Sequence, residues 1–90
     1  MTREEMVVAV ADLQASMVEC IAVLRTTAMA LPHTVQTDVE LACKQAEVAI
    51  EKRAWFIAND CIKAGRDAIA DYATQMGIAL ATAQQKGLDA

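Results

Sequence analysis

Aromatic area is scarce in this chain of 90 residues, where Trp55, Phe56 and Tyr72 are the only aromatic side chains. Each aromatic can bury roughly 150–250 Å², so their scarcity leaves a core that is thin per residue. The 19 alanines do not make up the difference. Alanine favours helix and close backbone approach but adds little buried area. A chain this short buries only about two-thirds of its unfolded surface. Self-association is therefore expected to supply part of its stability.

Basic charge is also short. Lys and Arg number 8 against 12 Asp and Glu, a net charge of −4. No basic cluster exceeds Lys52-Arg53. That argues against a nucleic-acid binder, which would carry a basic stripe. An acidic balance suits solubility, or a basic partner surface.

Metal-binding and catalytic patterns are missing as well. His33 is the only histidine, and Cys20, Cys43 and Cys61 are too widely spaced for a zinc site. Glu-x-x-His, the mark of a di-iron bundle, does not occur. No metal, cofactor or catalytic residue is expected, and the thiols read as small buried hydrophobes. Three cysteines without CxxC, preceded by Glu4, Glu5 and Asp12 instead of a signal-peptide arrangement, point to a reduced, cytoplasmic setting. The charge-free run beyond Arg25, residues 26–37, holds Pro32 and His33. It falls short of the about 20 apolar residues a bilayer requires, so no membrane segment is expected.

Helix periodicity fills most of the chain. Thr2-Arg3-Glu4-Glu5 fits a capping box. Apolar residues then recur at Met6, Val10, Leu13, Met17, Cys20/Ile21, Leu24, Ala28 and Leu31, in steps of three and four along one face. Glu5, Asp12 and Glu19 fall on the other side. Pro32 disfavours helix at the residue before it, which predicts a first helix over 3–31. Residues 32–36 form the one clear loop. Thr37-Asp38-Val39-Glu40 repeats the capping signature and predicts a second helix over 37–51.

The last helix has its own seam: Ala58, Ile62, Gly65, Ile69, Tyr72, Met76, Leu80 and Ala83. It is rotated by roughly 140° from the second helix's stripe, counting 100° per residue. A turn within 51–54 accounts for the rotation, yet Glu51-Lys52-Arg53-Ala54 has no Gly, Pro, Asn or Asp to make it. The rival break is Gly65-Arg66-Asp67, which has better turn chemistry but cuts an unbroken seam. The earlier turn is favoured, giving a third helix over 54–86 ended by Lys86-Gly87. Trp55 and Phe56 then fill the junction between the second and third helices. Residues 46–62 resemble part of a tetratricopeptide helical hairpin, without its usual glycines or a second copy. They read as ordinary αα-hairpin packing.

The expected architecture is all-α: a small three-helix antiparallel bundle with a long N-terminal helix, assembling into a larger bundle as a homo-oligomer. Val7, Ala11, Val18, Ala22 and Met29 widen the first helix's apolar stripe beyond what two other helices can cover. Val7, Val18 and Met29 are therefore candidate self-association residues. Asp60, Asp67 and Asp71 make an acidic row on the last helix, and Ile78 lies opposite that helix's seam. These four are candidates for binding a protein partner of complementary charge. His33, next to Pro32, could act as an acid, base or ligand, but as a lone loop histidine it reads as solvent-exposed and idle. The function expected is a non-enzymatic interaction module, a subunit or adaptor in a cytoplasmic assembly. The alternative is a small acidic inhibitor of a host enzyme, of phage or mobile-element type.

Overall fold

The computed structural model describes the backbone of residues 2–89 and the side chains of residues 2–80. Helix α1 spans Arg3–Ala28, α2 spans His33–Glu51 and α3 spans Trp55–Asp89, and no strand occurs among the described residues. The protein is all-α, with three helices.

The first helix starts where the sequence places it. Thr2 Oγ1 accepts from the Glu5 amide at 3.2 Å, and the Thr2 amide donates to Glu5 Oε2 at 3.4 Å, completing the capping box. The other end differs: α1 stops at Ala28, not Leu31. Two tight closures, Ala30 N to Thr27 O and Leu31 N to Ala28 O, turn the chain. Gln36 Nε2 then donates to the carbonyls of Met29, the C-cap, and Leu31, in the turn beyond it.

The loop expected at 32–36 is mostly helix. Pro32 has φ −57° and ψ 154° and serves as N-cap, and Gln36 N donates to Pro32 O in the first helical bond. Proline tolerates this place because an amide here would have no helical partner. The cap expected at Thr37 does not form. Its hydroxyl donates back to His33 O at 2.9 Å, one turn inside the helix.

The break between α2 and α3 lies at residues 52–54, as the change of apolar face requires. Ala54 N donates to Ala49 O at 2.8 Å and Arg53 N to Ile50 O at 2.9 Å. This is a Schellman closure. Its left-handed position, usually glycine, is Arg53 with φ 58°. Gly65 continues the helix and does not break it.

The core joins Met17, Ile21, Leu24 and Ala28 of α1 to Val39, Cys43, Ala46, Ala49 and Ile50 of α2 and Ala58 and Ile62 of α3. Gly65 sits where α3 meets both other helices. A Cβ there would lie 3.1 Å from Leu24 Cδ1 and 3.5 Å from Ala42 Cβ. Glycine on this seam serves close approach.

Two long elements outrun this core. The apolar face of α1 continues in phase through Leu13, Val10 and Met6, yet all of residues 2–16 are exposed. Leu13 is 41% exposed where Met17, one turn on, is 7%. On α3, Ile69 and Tyr72 are half-buried, Met76 and Leu80 are exposed, and Ala83 lies outside the described side chains. The backbone of α3 stays helical past Lys86-Gly87 to Asp89, and no described glycine takes the left-handed conformation that would end it. The protein measures 68 × 25 × 18 Å as a result.

Phe56 departs from expectation. It is 90% exposed, while Trp55 packs half-buried against the core. Helical residues turn 100° each, so Trp55, Ala58 and Ile62 share the inner face while Phe56 and Ile57 point away. Trp55 alone pins the junction.

The expectation that no segment could span a bilayer also needs correction. By length and composition α1 can, with an 18-residue window of mean hydropathy 1.9. Counting runs between charges missed it, because a helix window tolerates Asp12 and Glu19. Its C-terminal half, from Met17, is however committed to the protein core.

Candidate functional site

The best-defined polar contact ties α1 to α2. Arg25 Nε and Nη2 donate to Glu40 Oε2 and Oε1, both at 3.0 Å, and Nη1 donates to Glu47 Oε1. Glu40 and Glu47 stand seven residues apart on α2 and so share a face, and Arg25 lies between them. The bidentate fork holds the Glu40 carboxyl below the usual carboxylate range and raises the guanidinium further above its already high value. Residue spacing carries no sign of this pairing, since Arg25 is 15 residues from Glu40 and their register depends on where α1 stops.

A groove of about 520 Å³ opens beside this bridge, lined by Met29, His33, Thr37, Glu40 and Lys44 among others. His33 lies on the first turn of α2, not in a loop, and is exposed. The groove does set a histidine beside a carboxylate. That carboxylate is engaged at both oxygens by Arg25, and no cysteine lines the groove. Its chemistry is that of an inter-helix bridge, with His33 at the margin.

A second groove, between α2 and α3, brings Asp38, Asp67 and Asp71 together beside Tyr72 and Gln75. Asp60, Asp67 and Asp71 are all exposed. No cluster of His, Cys, Asp or Glu able to hold a metal occurs among the described residues.

The three thiols are free. Cys43 is buried at the centre, its Sγ directed at Ile21 O, and burial pushes the thiol up from its ordinary value. Cys20 and Cys61 are half-buried against the core, and Arg66 Nη2 approaches Cys20 Sγ at 3.3 Å.

Large apolar side chains are exposed at both ends of the molecule. Val7 and Val18 are exposed along one flank of α1 and Met29 just past its end, and Met6, Val10 and Leu13 are exposed on the adjoining face. At the far end of α3, Met76, Ile78 and Leu80 are exposed. Sequence periodicity assigned Met6, Val10 and Leu13 to the core. The pattern is right, but no described side chain of another helix covers them. No protein family model, curated protein or solved structure matches this chain.

Proposed function

We propose that the protein is a non-enzymatic helical interaction module, self-associating through α1 and working as a subunit or adaptor of a cytoplasmic assembly. On this reading its three helices form a small antiparallel bundle that joins a larger one. The observation that supports it is the apolar face of α1 that runs in phase out of the core and stays exposed over residues 3–16. Contiguous apolar surface of this kind marks contact with another protein or a membrane, and the commitment of α1 to the core from Met17 onward favours a protein. Light scattering tests the reading: a mass rising with concentration supports it, and a strict monomer at high micromolar concentration removes the self-association.

A second reading draws on the exposed acidic residues Asp60, Asp67 and Asp71. It makes the protein a small inhibitor of phage or mobile-element type that covers a basic surface on one host enzyme. Recovery of a single host enzyme in a pull-down, lost on Asp67→Lys plus Asp71→Lys, would favour it. Equal recovery by that double variant would count against it.

A further inference from the structure

Resting on the self-association reading, we infer that the occupant of the exposed α1 face is the same face of a second copy. The two helices run antiparallel, with a two-fold axis beside Val10.

The face itself limits what can lie on it. From Met17 onward α2 and α3 cover it. A helix seated on residues 3–16 must therefore end near Met17. A parallel copy of α1 cannot, because it would run on into α2 and α3. An antiparallel copy can, because its capped start at Arg3 comes level with Met17. Leu13 then lies beside Met6 and Val7 of the second copy.

Charge does not oppose this pairing: Glu5 and Asp12 lie on the side of α1 away from Met6, Val10 and Leu13 and stay outside the contact. A helix that spans a bilayer suits α1 less, since Met17, Ile21, Leu24 and Ala28 would have to leave the protein core.

The area agrees with a weak, specific dimer. The exposed apolar side chains of the two segments bury on the order of 1,000 Å² in total, the lower end for specific contacts. With an overlap of about 21 Å, two bodies each 68 Å long make a dimer of about 115 Å.

The test uses the full chain with Cys20 and Cys61 replaced by serine. Sedimentation and small-angle scattering are expected to show a concentration-dependent dimer of about 115 Å, and Leu13→Glu should weaken it at least tenfold with unchanged helicity. Under mild oxidation Val10→Cys should form a disulfide dimer. Met6→Cys should not, because its two copies stand about 12 Å apart along the axis. A strict monomer overturns both this pairing and the self-association reading. A dimer that tolerates Leu13→Glu and leaves Val10→Cys uncross-linked overturns only the pairing, as does a Met6→Cys disulfide dimer, which marks parallel helices. Monomer sedimenting with phosphatidylglycerol vesicles, and losing that on Leu13→Glu, makes a bilayer the occupant and also overturns the pairing.

Discussion

Arg53→Gly should stabilise the protein, although it deletes a side chain and adds a flexible residue. Arg53 occupies the left-handed position of the α2–α3 turn, φ 58°, and is exposed. A side chain in that conformation costs roughly 1–2 kcal/mol. Glycine removes the cost but returns about 0.5–1 kcal/mol through its larger unfolded-state entropy. The expected net gain is about 0.5–1 kcal/mol. For a domain this size that raises Tm by about 2–8 °C. Lys52 supplies the internal control. Its φ of −82° and ψ of 0° are right-handed, so Lys52→Gly has no strain to relieve and should lose about 0.5–1 kcal/mol. Thermal unfolding at matched concentration measures both. Adjacent glycine substitutions of opposite sign support the turn geometry. Equal losses from both would refute the Schellman closure at Arg53 and reopen the break at Gly65.

The packing sets three other expectations. Trp55→Ala should cost about 2–3 kcal/mol, below the range for a fully buried aromatic, and Phe56→Ala should stay within about 0.5 kcal/mol; chemical denaturation separates the two, and a large loss at Phe56 would contradict its outward position. Gly65→Leu should lose about 3 kcal/mol, because a Cβ there already meets Leu24 at 3.1 Å and the further methylenes would push α3 off α1 and α2; a native-like Tm would refute that close approach. Arg25→Met should cost about 0.5–1 kcal/mol at neutral pH, the two partners being 36% and 43% exposed and so screened by solvent. Because the Glu40 carboxyl is held below its usual range, the bridge contributes fully above the ordinary carboxylate value of about 4.3 and is lost as pH falls through the lowered one. Acid titration of stability should therefore be shallower in Arg25→Met than in the parent.

Local chemistry was legible wherever one turn of chain decides it. Thr2 and Glu5 are three residues apart, so their capping box needs no tertiary partner. The same signature at Thr37 misled, since Pro32 starts α2 four residues earlier and leaves Thr37 inside the helix. The α2–α3 turn was found by phase, not by turn residues: two apolar seams rotated against each other require a break whatever sits in it. Arg53 fills that break at a conformational cost no propensity would choose.

The candidate surfaces divide in the same way. Val7, Val18 and Met29 were readable as exposed, because an apolar stripe too wide for two neighbours must show on one side. Met6, Val10 and Leu13 were not, since their spacing is identical to that of Met17 and Leu24. Nor was the Arg25 bridge, which joins residues 15 and 22 apart and exists only once α1 and α2 take up one register.

Periodicity and capping by themselves determined three helices, the faces they bury and the site of the second turn, because 3.6-residue spacing and cap chemistry are properties of a single helix. Which stretch of each face found a partner was decided by tertiary structure. Helix lengths are unequal, so α1 and α3 run past the ends of their neighbours, and the same apolar spacing is core at Met17 and open surface at Val10.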